Sequence, residues 1–357
     1  MGNKPVFSII TLAYDRLAYS KESLGAMLRQ TYPYIEIIIV DNGAIPEVYE
    51  FITELERKDS RVKIVHFKEN QYRDDGFENL IKVCFNTGLK AATGEFVWYQ
   101  SDDDLIADDY VEKMVALFES NPACTSAAGY VKSIDASGVL LPEGARMSNY
   151  RPRYMPGHLL ALSTLDRFSP NIMFSAPGSI FVFRREEFMR LGGYHTLIER
   201  SHMFGVVPFG TTGFDETAVL YWRRHEAQLN KYMNKKGFSG AKATLALLRD
   251  WDIEKRWEIF GKGVARYVAK NLYRNACEED TSAFVINLYF FRFKACWCFL
   301  KELWHNRYFW QKLPFILLEE KRQFKYFLKP YIRGMFESWI WLGNVPGLSG
   351  LKEKAFK

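Results

Sequence analysis

The stretch VFSIITLAYDR, residues 6–16, is a short apolar run rich in β-branched residues that ends in a tyrosine, an aspartate and an arginine. A run of this length, bounded by polar residues, predicts a buried β-strand. Three comparable runs follow along the chain, at residues 35–40, 62–67 and 96–99. The four runs together predict the strands of one sheet.

The segments between these runs have the apolar spacing of helices. The predicted helices extend from Ser20, as the N-cap, to about residue 30, from Pro46 to about residue 58, and over residues 77–92. Strands that alternate with helices predict an α/β fold with a mostly parallel sheet flanked by helices. Beyond residue 240 the chain becomes helical and rich in aromatic residues, and we therefore predict two domains, 1–230 and 231–357.

In an open α/β sheet, ligands bind outside the carboxyl ends of the strands. Polar residues follow the first, second and fourth predicted strands, at residues 14–16, 41–42 and 101–104. The sequence therefore predicts a binding site that is shared by these three strand ends.

Three adjacent carboxylates, Asp102, Asp103 and Asp104, follow the fourth strand. They repel each other unless a cation is shared, and Mg²⁺ and Mn²⁺ prefer oxygen ligands and bridge phosphate oxygens. The triplet thus predicts a metal-diphosphate site. The alternative is an acidic turn at the start of the next helix, a place for which Asp108 is well suited.

Several motifs, taken in order, carry a family resemblance. They are FSIITLAYDR at 7–16, QTY at 30–32 with EIIIVD at 36–41, NTG at 86–88, and ATGE at 92–95 ahead of the acidic triplet. Over about residues 5–230 the chain resembles a family 2 glycosyltransferase of the GT-A fold, which is an inverting enzyme with a nucleotide-sugar donor. The chain departs from the family pattern at Leu12-Ala13, where Pro-Thr is usual, at Asn42, and at Ser101, where an Asp is common.

The resemblance implies a set of donor-binding residues, with a UDP-sugar as the expected donor. Asp41 would hydrogen-bond the base or the ribose, Tyr14 would lie against the nucleotide, and Asp102 would assist on the ribose or the metal. Gly178 matches a glycine loop near the acceptor, although an ordinary turn glycine is an equal alternative. The implied donor set is Ala13, Tyr14, Asp15, Asp41, Asp102 and Gly178.

The resemblance also implies the metal ligands for Mn²⁺ or Mg²⁺. Asp103 would be the principal ligand, and His225, in a segment that resembles the closing Arg-x-His of the family, would complete the shell. Oxygen-dominated sites accept an imidazole. A lone histidine is more often a core or surface residue, but its place in the ordered motifs favours the ligand role.

Inverting transfer needs a carboxylate base within reach of the acceptor hydroxyl. The family places this base shortly after a Gly-Gly-aromatic motif, which is found here at residues 192–194. Glu199 is accordingly the first choice. Because Arg200 stands where an aspartate is expected, Asp215 and Glu216 remain competitors.

The C-terminal third carries the basic excess of the chain. Residues 241–357 contain 21 Lys and Arg against 12 Asp and Glu, whereas the whole chain has a net charge of +6. The apolar segment 283–300 contains Asn287, Arg292 and Lys294, and a membrane span needs about 20 largely uncharged residues. We expect this third either to attach peripherally to a membrane or to form a helical layer packed on the catalytic domain.

The remaining expectations concern partners and location. The acceptor is expected to be a glycan or a lipid-linked molecule, and no recognised nucleic-acid motif accompanies the basic residues. The absence of a leader-like segment predicts a cytoplasmic protein, located in part at the inner face of the membrane. Two alternatives remain: a noncatalytic membrane-surface module with a transferase fold, and a nucleotidyltransferase, whose glycine-rich entry loop is missing after the first strand.

Overall fold

The structure is a computed structural model. It describes the following residues: 4–71, 80–142, 152–165, 180–195, 198–226, 228, 237, 239–289 and 291–317. Their contacts define two compact units. The first comprises Met1–Lys231 with Gly240–Asn275, and the second comprises Tyr232–Ser239 with Ala276–Lys357. Residues 240–275 thus group with the first unit, and the functional boundary at residue 230 stays a prediction.

The first unit is built on one mixed sheet. Its described strands are β1 (Phe7–Ala13), β2 (Ile35–Asn42), β3 (Val62–Phe67), β4 (Phe96–Tyr99), β5 (Leu105–Ile106), β6 (Cys124–Ile134), β7 (Tyr154–Pro156), β8 (Phe181–Arg184) and β9 (Thr211–Arg223). The order is β3-β2-β1-β4-β8-β6-β9-β5, and β7 pairs with β9. The four strands predicted from the sequence are confirmed as parallel neighbours, β3-β2-β1-β4.

Beyond β4 the sheet is no longer parallel throughout. Strand β8 is antiparallel to both β4 and β6, and β6 then runs parallel to the long strand β9. The α/β class is confirmed, while the parallel arrangement holds for the first half of the sheet and for the β6–β9 pair. Every residue of β2 is buried, as expected of a central parallel strand covered on both faces.

The helices were predicted with mixed accuracy. Helix α1 (Leu17–Leu28) begins three residues before the predicted cap, because the Ser20 backbone N–H already donates to the Arg16 carbonyl; Ser20 as N-cap was wrong. Helix α2 (Pro46–Lys58) was predicted correctly from its first proline. The predicted helix at 77–92 is described from residue 80 onward, as a π-helical segment Leu80–Phe85 that continues into α3 (Asn86–Ala91).

The remaining described helices complete the two units. They are α4 (Tyr110–Ser120), α5 (Gly157–Leu165), α6 (Arg185–Arg190), α7 (Ile198–Ser201), α8 (Gly240–Asp250), α9 (Ile253–Trp257), α10 (Lys262–Tyr289) and α11 (Phe293–Leu303), followed by helical residues 307–317. The predicted C-terminal helical region is therefore present. In the part of the chain that the structure describes, no helix combines the length and the apolarity needed to cross a bilayer.

Candidate functional site at the strand ends

The carboxyl ends of β1, β2 and β4 lie at one edge of the sheet, since the three strands are parallel neighbours. Ala13, the last residue of β1, is in register with Asp41 near the end of β2. From the turn after β1, Arg16 reaches the acidic triplet after β4: its Nη1 lies 2.7 Å from Asp103 Oδ2 and 3.3 Å from Asp102 Oδ1. The structure thus brings together the segments that the sequence placed at one site.

A second contact brings His225 to the same carboxylate. His225 Nε2 lies 2.9 Å from Asp103 Oδ2, although 122 residues separate the two in the chain. Both side chains are mostly buried, and the imidazole ring lies 5.0 Å from the ring of Tyr19 in α1. The two residues predicted as metal ligands are therefore direct neighbours.

The third carboxylate of the triplet has a structural role that the sequence did not indicate. The backbone N–H of Arg223 donates to Asp104 Oδ1 at 2.9 Å, and Arg223 Nε donates to the Asp103 carbonyl at 2.8 Å. The guanidinium also pairs with Glu22 and lies over the ring of Tyr19. This fully buried arginine at the end of β9 fixes the triplet and positions His225 two residues later.

The triplet is electrostatically crowded. Burial, followed by repulsion from Asp103, raises the pKa of Asp102 to about 7, although Arg16 acts in the opposite direction. Burial and the neighbouring Asp103 also raise the pKa of Asp104 well above its ordinary value. Asp102 and Asp104 are therefore hard to ionise in this position, and an added cation would relieve the repulsion.

The chemistry of the donor set fits a divalent ion in part. Asp103 offers a carboxylate and His225 an imidazole nitrogen, and both are ligand types that Mn²⁺ accepts. Among the described residues, no group of three or more His, Cys, Asp or Glu side chains is arranged to hold a metal alone. Ions of this kind are often bound by one or two carboxylates together with substrate phosphates. Asp103 and His225 suit such a shared site.

At the end of β2, Asp41 is buried, and each of its carboxylate oxygens has one partner. Its Oδ1 accepts from the Ala44 backbone N–H at 2.7 Å, and its Oδ2 lies 2.9 Å from His66 Nδ1. The His66 side chain is about half exposed, and its ring lies 5.6 Å from that of Tyr49. Sequence reasoning missed His66, although its place near the carboxyl end of β3 was a signal that could have identified it.

Asn42, which departs from the family pattern, holds the following loop in place. Its Nδ2 donates to Asn70 Oδ1 at 2.9 Å, and its Oδ1 accepts from the Gln71 backbone N–H at 2.8 Å. A carboxylate could not donate the first of these bonds. Gly43 follows with φ +68°, and a Cβ there would lie 2.8 Å from the Asn70 nitrogen. The departure at Asn42 thus stabilises the turn beside Asp41.

The rest of the predicted donor set divides by exposure. Ala13 is buried in the sheet, whereas Tyr14 and Asp15 are exposed beside the site. The Tyr14 carbonyl accepts from the Ile45 backbone N–H at 2.9 Å, which ties the turn after β1 to the start of α2. Gly178 lies outside the described residues.

Of the three candidate bases, Glu216 is exposed within β9, and the other two are placed differently. The backbone of Glu199 belongs to α7. Asp215 lies in an irregular part of β9, where its Oδ1 accepts from the Thr217 N–H at 2.9 Å and from the Thr217 hydroxyl at 2.7 Å. Asp215 is opposite Gly129 on β6, and Arg223 is opposite Ile134. Because Gly129 and Ile134 are five residues apart on β6, Asp215 lies on the order of 15 Å along the sheet from Arg223.

Comparison with known proteins adds sequence relatives. A family model described as "Glycosyl transferase family 2" matches residues 8–192. An uncharacterized glycosyltransferase of Haemophilus influenzae is 31% identical over 134 residues, which are 38% of this chain and 39% of the relative. The putative teichuronic acid biosynthesis glycosyltransferase TuaG of Bacillus subtilis is 28% identical over 127 residues, 36% of this chain and 47% of the relative. The matches span less than half the length of these two curated relatives.

Solved structures share the fold. TarS 1-349 of S. aureus in complex with UDP-GlcNAc superposes with a TM-score of 0.51 at 15% identity, over 78% of this chain and 81% of that TarS chain. The mannosyltransferase PcManGT from Pyrobaculum calidifontis, in complex with GDP-Man and Mn²⁺, superposes with a TM-score of 0.50 at 15% identity, over 89% and 86%. At this identity the likeness concerns the fold alone, which is of the GT-A type. With the family model matching more than half of its length, the chain belongs to glycosyl transferase family 2.

Proposed function

We propose that the protein is an inverting glycosyltransferase that moves a sugar from a nucleotide-diphosphate donor, expected to be a UDP-sugar, to a hydroxyl of a glycan or lipid-linked acceptor. One observation carries this proposal. Asp103 contacts both Arg16 and His225 at the end of β4, and Asp41 lies at the end of β2 on the same edge of the sheet. Family membership supports the same reaction class.

The end of β2 is proposed to bind the nucleoside. Asp41 is held by Ala44 and His66, so its carboxylate is fixed in orientation before the donor arrives. A fixed carboxylate can accept a hydrogen bond from a base N–H or a ribose hydroxyl. Tyr14 is exposed beside it and can lie against the base or ribose.

The end of β4 is proposed to bind the diphosphate. Asp103 and His225 would hold Mn²⁺ or Mg²⁺, whose chemistry there is to neutralise charge on the leaving diphosphate. Arg16 now donates to the same Asp103 oxygen that lies against His225. A guanidinium also binds phosphate through two parallel hydrogen bonds. We therefore infer that Arg16 exchanges its partner from Asp103 to a donor phosphate.

The acceptor hydroxyl must lose its proton as it attacks. We propose Glu199 as the base that takes this proton, with Asp215 and Glu216 as competitors. The Thr217 hydrogen bonds occupy Asp215 Oδ1 and orient this carboxylate within its own strand, which supports Glu199 as the first choice.

Similar proteins support the expected substrates. TarS was crystallised with UDP-GlcNAc and PcManGT with GDP-Man and Mn²⁺. TuaG is named for teichuronic acid biosynthesis. These support a nucleotide-sugar donor, a divalent ion and a role in polysaccharide synthesis for this chain.

The direct test is a donor screen with the full chain. Release of UDP or GDP from a panel of nucleotide sugars is measured with Mn²⁺, with Mg²⁺ and in excess EDTA. We expect release from at least one donor, dependent on the ion and lost in Asp103→Asn. The matched control is Asp108→Asn, because Asp108 is an exposed carboxylate in the same segment that pairs with Arg29. Full release in EDTA, or equal loss in both variants, would contradict the proposal.

A further inference from the structure

The second unit has an apolar core of its own. Phe299 and Leu303 of α11 are fully buried, and Phe284 of α10 packs edge-on against Phe309 at a ring distance of 5.6 Å. The helices of this unit therefore already bury one apolar face each, as surface helices normally do. Aromatic residues on any other face need a separate explanation.

Such residues are present on the opposite face. Between residues 291 and 317, six large aromatic side chains are exposed, with exposed fractions of 77% for Phe291, 64% for Phe293, 60% for Trp297, 53% for Trp304, 46% for Trp310 and 70% for Phe315. We call this set the aromatic ridge. Phe293, Trp297 and Trp304 follow each other at intervals of four and seven residues, which places them on one side of α11.

Contacts within the ridge make it continuous over part of its length. The rings of Phe291 and Phe293 are 6.2 Å apart, and those of Trp304 and Trp310 are 5.0 Å apart and edge-on. Trp310 Nε1 also donates to the Trp304 carbonyl at 2.7 Å. With about 200 Å² per aromatic side chain, the exposed ridge offers on the order of 700 Å².

Exposed cations are interleaved with these rings. Lys294, Lys301 and Arg307 are exposed, and Lys301 Nζ lies 5.7 Å from the centre of the Trp297 ring. Glu302 is the only acidic residue between positions 291 and 317, against five Lys and Arg. A surface that combines tryptophan, phenylalanine and lysine in this way suits the interface of an anionic bilayer, where rings enter the headgroup region and ammonium groups meet lipid phosphates.

We propose that the aromatic ridge binds the anionic surface of a lipid bilayer, with its rings in the headgroup region and Lys294, Lys301 and Arg307 on acidic lipids. The cations exclude deep insertion, because charged groups at the bilayer centre are unfavourable. This contact would bring the chain to lipid-linked acceptors at the cytoplasmic face. It does not depend on sugar transfer, since it can be measured without a donor, and its failure leaves the proposed reaction untouched.

The test is cosedimentation of the full chain with vesicles of phosphatidylcholine alone and of phosphatidylcholine mixed with phosphatidylglycerol. We expect binding to the anionic vesicles that weakens with salt but does not vanish. Lys294→Gln/Lys301→Gln/Arg307→Gln should weaken this binding roughly 100-fold, from about fivefold per cation. Its matched control is Lys255→Gln/Lys262→Gln/Arg266→Gln, which removes three exposed cations of the first unit.

The aromatic variant is Phe293→Ser/Trp297→Ser/Trp304→Ser. It should reduce binding to both kinds of vesicle and remove the part of the binding that resists salt. Its control removes three exposed apolar residues of the first unit, Leu245→Ser/Ile259→Ser/Tyr267→Ser, and should bind as the parent does. Equal binding by the aromatic variant and the parent would overturn the proposal. A parent that binds no vesicle would also overturn the proposal. In that case, an aromatic variant that loses self-association in gel filtration would assign the ridge to a second copy of the chain. An aromatic variant that becomes more sensitive to protease at residues 318–357 would assign the ridge to the chain's own C-terminal segment.

Discussion

The ends of β2 and β4 both carry buried aspartates, yet their surroundings differ. At β2, one carboxylate is satisfied by a backbone N–H and by His66, without another acid in contact. At β4, three carboxylates are adjacent, and Arg16 and Arg223 are drawn in from distant parts of the chain. The first arrangement is suited to a neutral polar group, and the second to a highly charged one. We expect these two strand ends, which lie on either side of β1, to divide the recognition of the proposed nucleoside-diphosphate donor between them.

The largest expected effect concerns the β4 end. Asp103→Asn removes the carboxylate shared by Arg16 and His225, and we expect donor turnover to fall by about 10³-fold, as for loss of a preorganised electrostatic group. The thermal unfolding midpoint should change little, because the same substitution also relieves repulsion within the triplet. Turnover assays and differential scanning calorimetry on the one variant separate the two effects. A large fall in the midpoint would instead assign Asp103 to folding.

The next largest expected effect concerns Glu199, which lies at neither strand end. Glu199→Gln should lower turnover on the order of 10³-fold, the scale of a general base, and leave donor affinity unchanged. Asp215→Asn is the matched comparison, and we expect it to retain turnover while weakening the hydrogen bonds to Thr217. Pre-steady-state rates and calorimetric donor binding are the measurements. The reverse pattern would make Asp215 the base.

The crowding at β4 also predicts a pH dependence of stability. Since the pKa of Asp102 is about 7 in the folded chain and about 3.9 when unfolded, the folded state binds more protons between these values. Without metal, the free energy of unfolding should therefore fall as pH rises from about 4 to 7. Asp102→Asn should flatten this dependence and stabilise the protein at neutral pH by up to about 4 kcal/mol.

Denaturant titrations at several pH values measure this effect, and Asp59 supplies a control of opposite sign. Its hydrogen bonds with Arg61 lower the pKa of Asp59, so the stability it contributes is present above its unfolded value and is lost as pH falls. Asp59→Asn should therefore destabilise the protein at neutral pH. A parental protein whose stability rises between pH 4 and 7 would contradict the predicted crowding at Asp102.

The sequence was most informative where local pattern and burial coincide. Strand β2 is a run of isoleucine and valine with all its residues buried, and α2 begins at its proline, so both could be predicted from the sequence alone. Strands β6 and β9 were missed. Segment CTSAAGYVKSI is dominated by small residues, and β9 contains an irregularity beside Gly129 that breaks the alternation of its side chains.

Site residues that belong to sequence motifs were predicted. Site residues that are defined only by tertiary contacts were missed. Asp103 and His225 were expected together and are neighbours. Arg223 and Asp104, by contrast, are 119 residues apart and become partners only once β9 crosses to the triplet. No periodicity within either segment carries that information. The contact between His66 and Asp41 is likewise a tertiary contact, because it depends on the register of β3 against β2.

The smallest expected effect concerns the β2 end. His66→Ala removes the Nδ1 partner of Asp41 Oδ2 and leaves that buried oxygen without its hydrogen bond, which typically changes a free energy by about 1–1.5 kcal/mol. The dissociation constant for the donor nucleotide should therefore rise about tenfold. Turnover at saturating donor should stay unchanged, because the leaving diphosphate is bound at the other strand end. Tyr49→Phe is the matched control, since it keeps the ring beside His66 and should bind the nucleotide as the parent does.

Calorimetry with UDP and with the nucleoside uridine decides the origin of the loss. If His66 acts through Asp41, the tenfold loss appears for uridine as well and is the same with and without Mn²⁺. A loss seen only for UDP with Mn²⁺ would place His66 with the β4 end and would break the division between the two strand ends.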